Sequence, residues 1–319
     1  MQGDVLAQSD ASLAIHTTGL SKTYGELQAV DQLQLAIPEG QFFGLLGPNG
    51  SGKTTTIHML TTLARPTSGQ ASVAGHDVLK EGVAVRREVG LVFQESALDR
   101  TLTVDENLRF AGMLRNLSRA TIRQRSDELL ALFNLQERRR MKAAALSGGM
   151  RRALDIARGV LHRPRILFLD EPTLGLDVAS RRAIWRFIGQ LRREEGMTVF
   201  LTTHYLEEVE ACDQVAFLAS GRVIGTGSPE YLVRQFGQYV LEIDAADLDA
   251  IAGLLSPHLG SCLKEGATAS FRVVDEHFSF AELQAELNDS VKAVRWRRPN
   301  LNDVFLWVND PALNTEFKI

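Results

Sequence analysis

The chain has 319 residues, 45% hydrophobic and 23% charged, with a formal net charge of −4. That length accommodates one large domain and a smaller one, and the composition is that of a globular protein rather than a disordered or fibrous one. The acidic balance argues against a general nucleic-acid binder. Two cysteines, Cys212 and Cys262, are too few for a disulfide framework. No apolar run approaches the roughly 18–20 residues needed to cross a bilayer.

Residues 1–13 lack a basic start followed by an apolar stretch, so they read as a polar lead-in rather than a secretory signal. From residue 14 to about 35, short apolar or alternating runs suggest antiparallel strands, broken by Gly25 and ended by Pro38-Glu39-Gly40. Phe42-Phe43-Gly44-Leu45-Leu46 reads as a buried strand running into a glycine-rich loop, with a helix over 54–63. Residues 95–160 read as largely helical, with Ser118 as an N-cap and Ile122, Leu129, Leu130 and Phe133 at helical spacing. Strand patterns return at 166–169, 198–202 and 215–218 and alternate with helical ones, which indicates a parallel sheet with crossover helices. Beyond Gly237 the pattern changes. A strand at 239–243, a helix at 248–255, a strand pair turning at Glu265-Gly266, a helix at 280–287 and a strand at 291–296 give a split-βαβ order. The expected division is 14–237 for the main domain, with a helical subdomain at about 95–160, then 238–310 for a small α+β module and 311–319 for a tail.

Charge is unevenly spread. Between Arg115 and Arg165 there are thirteen Lys/Arg against four Asp/Glu, whereas from Arg234 onward there are eight against thirteen. The basic window reads either as a docking face for a membrane partner or anionic head groups, or as an ordinary solvated helical face.

The loop Gly47-Pro48-Asn49-Gly50-Ser51-Gly52-Lys53-Thr54 is a full G-x-x-x-x-G-K-[ST] phosphate loop in its strand-loop-helix context. Its glycines let backbone N–H groups face phosphates, and the following helix N-terminus adds a favourable dipole. Lys53 reaches the β- and γ-phosphates, Thr54 supplies a hydroxyl for Mg²⁺, and Thr55 is counted with the loop. Asp170 ends the apolar run Ile166-Leu167-Phe168-Leu169 and is the natural carboxylate for Mg²⁺, directly or through water. Glu171 then points a second carboxylate toward the γ-phosphate, placed to orient or deprotonate an attacking water. Gln94, after an apolar strand, offers an amide to Mg²⁺ or to a water. Read alone it would be surface decoration, but its position favours the site. His204, at the tip of the strand pattern, is placed to hydrogen-bond the γ-phosphate. Tyr24 is a candidate to stack on adenine, though an isolated tyrosine there is more often a core or surface residue.

Leu146-Ser147-Gly148-Gly149-Met150 opens a further helix over 150–160. Ser147, Gly148 and Gly149 put a hydroxyl and unblocked amides at a positive helix end, which makes a second anion site. One phosphate loop holds one nucleotide, so the second site is best used on a nucleotide held by another subunit. The inference is a symmetric homodimer with two ATP molecules sandwiched in it.

Six motifs in one order carry a resemblance over residues 14–235: Tyr24, the phosphate loop, Gln94, the Ser-Gly-Gly run, Asp170-Glu171 with Gly175-Leu176-Asp177, and His204. The chain resembles the ATP-binding-cassette (ABC) ATPases. The resemblance implies an α/β fold: a P-loop ABC ATPase core of mixed sheet plus antiparallel strands, with a helical subdomain and a small α+β C-terminal module. It also implies that Glu171 is the catalytic carboxylate, His204 the γ-phosphate switch and Asp177 a residue of the dimer interface. Met150 stands where most members have Gln. With Leu201-Thr202-Thr203-His204-Tyr205-Leu206-Glu207-Glu208 and the tail Arg298-Pro299-Asn300-Leu301-Asn302-Asp303-Val304-Phe305-Leu306, this is similar to the daunorubicin-resistance and nodulation-factor export ATPases. Asn302 replaces the Glu usual in that tail.

The expected function is therefore an ATP- and Mg²⁺-dependent ATPase subunit of an exporter. It would work with a separate transmembrane permease at the cytoplasmic face of a bacterial membrane, with no nucleic-acid partner. Two alternatives stand beside it. A soluble ABC protein acting on nucleic acid or translation would show tandem cassettes, a long coiled-coil insertion or a basic tail. An importer ATPase would carry a Gln-ending signature.

Overall fold

The computed structural model describes residues 12–274, 291–310 and 312–313. They form two compact units, one made of residues 1–205 with 218–223 and the other of residues 206–217 with 224–319.

In the first unit, β1 (Leu13–Tyr24) and β2 (Leu27–Pro38) form an antiparallel hairpin, followed by β3 (Phe42–Leu46) and α1 (Lys53–Leu60). Next come β4 (Ser68–Val73), β5 (His76–Asp77), α2 (Gly82–Glu88) and β6 (Val89–Val92). The helical stretch supplies α3 (Val104–Leu114), α4 (Arg119–Leu132) and α5 (Gly148–Val160), with 3-10 turns at Gln136–Arg138 and Ala143–Ala145. Then follow β7 (Ile166–Asp170), α6 (Val178–Glu195) and β8 (Thr198–Thr203).

Two sheets organise this unit. One is antiparallel, in the order β2-β1-β4-β5, and the other places β3, β8, β7 and β6 side by side in parallel. Every residue of β3, β7 and β8 is buried. A strand covered on both faces needs a continuous apolar run, which is why these segments do not alternate. Phe200 stacks on Phe43 at 5.4 Å between ring centroids and lies 5.3 Å from Phe168, joining the three strands by their side chains.

Helix α5 lies against β6 because both give up a side chain at the crossing. A Cβ on Gly90 would come within 2.4 Å of the Gly159 carbonyl oxygen. The Ser118 cap is present, its hydroxyl accepting from the Thr121 amide, and Ile122, Leu129, Leu130 and Phe133 are buried. Helix α1 ends at Leu60, short of the expected residue 63. Thr61 returns its hydroxyl to the Ile57 carbonyl, and Thr62 turns to a left-handed φ of 67°. Helix α5 begins two residues earlier than expected, at Gly148.

Many cations of the basic window pair within the chain, most of them at the surface, while Arg125 and Arg152 are buried. Arg125 binds Glu128 and Glu195, Arg139 binds Asp105 and Asp127, and Arg163 and Arg165 pair with Glu128 and Glu39. Arg115 donates to the Val89 carbonyl, and Arg152 and Arg158 turn toward buried groups as described below.

The second unit contains α7 (Leu206–Val209), most of β9 (Gln214–Ala219) and β10 (Arg222–Gly227), and α8 (Pro229–Phe236). It continues with β11 (Tyr239–Ala245), α9 (Leu248–Leu259), β12 (Cys262–Glu265), β13 (Thr268–Val273), β14 (Val291–Arg297) and α10 (Leu301–Asn309). The sheet order β12-β13-β11-β14, with antiparallel neighbours, is that of the split-βαβ arrangement expected from the sequence. The helix expected at 280–287 lies outside the described residues. Ile251 and Leu255 of α9 pack on Leu241, Ile243 and Phe271 of the sheet. Helix α10 is held by a capping box between Asn300 and Asp303 and by a two-pronged Arg297–Asp303 pair, both contacts at 2.7 Å. Its Trp307 meets Phe236 of α8 edge-to-face at 5.3 Å.

Candidate functional site

The phosphate loop follows directly from β3, where the Gly47 amide donates to the Thr203 carbonyl at 3.3 Å. Gly50 and Gly52 take φ values of 80° and 108°, and a Cβ on Gly52 would lie 2.3 Å from the Ala29 carbonyl oxygen. Only glycine fits there. Pro48, Asn49 and Gly50 are exposed, Ser51 is buried, and Thr55 is the third residue of α1.

Lys53 is nearly buried, and its ammonium donates to the carbonyls of Gly47 at 2.8 Å and Pro48 at 3.0 Å. The same nitrogen lies 3.4 Å from Glu171 Oε1. On the other side of that carboxylate, His204 Nδ1 lies 3.2 Å from Oε2, but without the alignment of a hydrogen bond. Glu171 thus stands between a lysine of the phosphate loop and a histidine at the end of β8. Its backbone turns sharply after β7, with a left-handed φ of 44°, and its amide donates to the Thr202 carbonyl at 3.0 Å. A non-glycine residue in this conformation stores strain, a feature that clusters at functional sites.

Asp170 accepts from Thr202 Oγ1 at 2.5 Å and from Thr54 Oγ1 at 3.2 Å. Thr54, Gln94 and Asp170 line one cleft with His58 and Ser96. These are a hydroxyl, an amide and a carboxylate. Hard oxygen donors with at most one or two carboxylates suit Mg²⁺, which keeps much of its water. The residues present therefore fit the ion.

The Ser-Gly-Gly run forms a second cluster. Ser147 caps α5, accepting from the Met150 amide at 3.3 Å, and Ser147 and Gly148 are exposed. Asp177 caps α6, accepting from the Ser180 amide at 2.9 Å, and this bond holds its carboxyl below the usual range. The two helix starts meet: a Cβ on Gly149 would lie 2.4 Å from Ser180 Oγ. Tyr24 is exposed at the end of β1, with Lys22 Nζ 4.7 Å from its ring centroid.

Sequence reading missed Thr202, the left-handed Glu171 and Arg152. The threonine sits in the Leu201-Thr202-Thr203-His204 run, where a buried hydroxyl one strand from Asp170 was the available signal. Nothing local announces the other two.

The daunorubicin/doxorubicin resistance ATP-binding protein DrrA of Streptomyces peucetius is 41% identical over 302 residues, covering 92% of this chain and 91% of that protein. The chain belongs to the ABC transporter ATP-binding proteins. The ABC transporter family model matches residues 30–174, within the first unit. The Nod factor export ATP-binding protein I of Ralstonia nicotianae is 39% identical over 293 residues, covering 90% and 91% of the two chains. Among solved structures, an ATP-binding subunit of an ABC transporter superposes with a TM-score of 0.64 at 30% identity, covering 70% of this chain and 93% of its own. A dimeric ATP-binding cassette in a post-hydrolysis state with ADP and Pi gives 0.62 at 29% identity, covering 67% and 98%. This ABC protein is accordingly an ATP-binding ATPase, and its P-loop fold is that of the cassettes. Among the described residues no helix is long and apolar enough to cross a membrane.

Proposed function

We propose that this chain is the ATP-hydrolysing subunit of an exporter and that two copies close on two ATP molecules to drive a separate membrane permease. The observation that carries the reading is the Lys53–Glu171–His204 arrangement, which sets one carboxylate between a phosphate-binding cation and an imidazole. Glu171 orients and deprotonates the attacking water, and Lys53 neutralises the β- and γ-phosphate oxygens. His204 hydrogen-bonds the γ-phosphate. Thr54, Gln94 and Asp170 hold Mg²⁺, which when bound offsets the charge on the phosphates. Tyr24 stacks on the adenine.

The Ser147-Gly148-Gly149 cluster, exposed at Ser147 and Gly148, and Asp177 face the nucleotide of the second subunit. Two exposed helix starts, one with unblocked amides, support this reading. We assign residues 14–237 to the cassette and 238–310 to the appended module. The exporter role rests on the relatives named for drug resistance and Nod factor export, and the cargo class is a small hydrophobic or amphiphilic molecule. The protein then works at the cytoplasmic face of a bacterial membrane. Affinity purification from detergent-solubilised cells tests this reading. Recovery of a multi-spanning membrane protein, released when ATP is depleted, supports it; a ribosomal or DNA-bound partner overturns it.

A further inference from the structure

Arg152 is 7% exposed, and its guanidinium reaches a set of backbone carbonyls. Its Nε donates to the Pro172 carbonyl at 2.5 Å, Nη1 to the Phe93 carbonyl at 2.5 Å, and Nη2 to the carbonyls of Asp170 at 3.1 Å and Glu171 at 3.3 Å. These four acceptors belong to two loops. One leads into Gln94, and the other carries Asp170 and Glu171. A planar fork with five donors can bridge such a set, whereas an ammonium acts as a single point.

The grip extends nearly two turns along α5. Arg158 Nη1 donates to the Ala97 carbonyl at 3.1 Å, and Arg158 Nη2 lies 3.0 Å from Asp155. Asp155 is fully buried between Arg158 and Arg152, the latter at 3.8 Å. The segment from Phe93 to Ala97 is thus tied to α5 at both ends, with Gln94, Glu95 and Ser96 exposed between the ties. Burial drives the Asp155 carboxyl above the usual carboxylate range, against the pull of the two arginines. Charges this expensive to bury are more than a core needs for stability alone.

We infer that Arg152, assisted by Asp155 and Arg158, is a positioning residue that fixes Gln94 and the Asp170–Glu171 turn to the helix beginning at Ser147. This rests on the proposed roles of Gln94, Asp170 and Glu171. The helix that offers the Ser-Gly-Gly run to a partner's nucleotide therefore sets the metal-side loops of its own chain. Outer groups that orient metal-binding residues change metal affinity or activity by about 10–100-fold when removed.

The test compares R152Q, R152K and R158Q in the full-length protein. A fluorescent ATP analogue reports affinity in EDTA and in Mg²⁺, steady-state hydrolysis gives kcat and KM, and thermal melting reports folding. In all three variants the EDTA affinity stays within about twofold of the parent, because the phosphate loop is untouched. The gain in affinity on adding Mg²⁺ falls by about tenfold in R152Q, and kcat falls at least as much. R152K keeps the charge but does not rescue either quantity, since it cannot bridge both loops. R158Q, on a less buried side chain, lowers the Mg²⁺ gain without impairing folding. An unchanged Mg²⁺ gain in R152Q and R158Q overturns the inference. So does full rescue by R152K, or loss of EDTA affinity in step with kcat. Parental turnover in E171Q would instead count against the proposed base, while the Mg²⁺ gain still judges Arg152.

Discussion

Lys53 and Glu171 form an ion pair of 3.4 Å in which both side chains are almost fully buried, 5% and 8% exposed. Removing one partner of such a pair leaves an uncompensated charge and costs about 3–5 kcal/mol. Lys53→Met therefore destabilises the protein by about that amount and abolishes tight ATP binding. Glu171→Gln is milder, because Lys53 keeps the carbonyls of Gly47 and Pro48. Denaturant unfolding of the two variants shows the order. Equal losses, or a larger loss in Glu171→Gln, would contradict it.

Thr202 binds the strand-end carboxylate more closely than Thr54 does, at 2.5 Å against 3.2 Å from Asp170 Oδ1, and it is fully buried. Thr202→Val keeps the shape and deletes the donor. Stripping a buried acceptor of a partner costs about 1–3 kcal/mol. The variant should show that loss together with a raised Mg²⁺ requirement for ATP hydrolysis. Titrating Mg²⁺ at saturating ATP checks it.

Gly149→Ala places a methyl group 2.4 Å from Ser180 Oγ, where the start of α6 must shift. Overpacking of this kind costs about 1–3 kcal/mol. Hydrolysis should fall at least tenfold, since the substitution also crowds the face proposed to meet a partner's nucleotide, while ATP binding by the isolated subunit is retained. Ser147→Ala loses a helix cap instead, about 1 kcal/mol. Comparing ATP affinity with turnover in each variant separates the two effects.

His162 titrates far below its ordinary range, lowered to about 4 by burial and then by the Arg115 charge, with a ring nitrogen 3.0 Å from the Val89 carbonyl. The unfolded chain takes up this proton near pH 6.5 and the folded chain only near 4. Between those values the unfolded state holds more protons, so stability rises with pH. His162 thus contributes a loss of at most about 3 kcal/mol as pH falls from 6.5 to 4, and no further change below. Unfolding free energies measured across this window should drop less in His162→Gln than in the parent.

Much of this architecture was legible because it is local. The continuous apolar runs at Phe42–Leu46 and Ile166–Asp170 announce strands buried on both faces. The spacing of Gly47, Gly52 and Lys53 specifies a phosphate loop, and Ser118 marks a helix start. What escaped depends on residues far apart in the chain. Arg152 meets Phe93 only because two glycines let α5 settle on β6, and helical periodicity gives a face but not the partner on it. The surplus of cations between Arg115 and Arg165 was open to a docking reading. Part of it pairs with carboxylates and carbonyls of the same chain, such as buried Arg125 with Glu195, seventy residues away, while other members stay exposed. The left-handed turn at Glu171 lies in the same class, since no glycine or asparagine signals it.

The central claim is that Glu171 activates the water while the nucleotide is clamped between two chains. It is tested most directly by the Glu171→Gln protein incubated with ATP and Mg²⁺ and passed over a sizing column. The account predicts a stable dimer holding two unhydrolysed ATP molecules and turnover lowered by about 100-fold or more. A monomer, or a protein that still hydrolyses ATP at the parental rate, would contradict it.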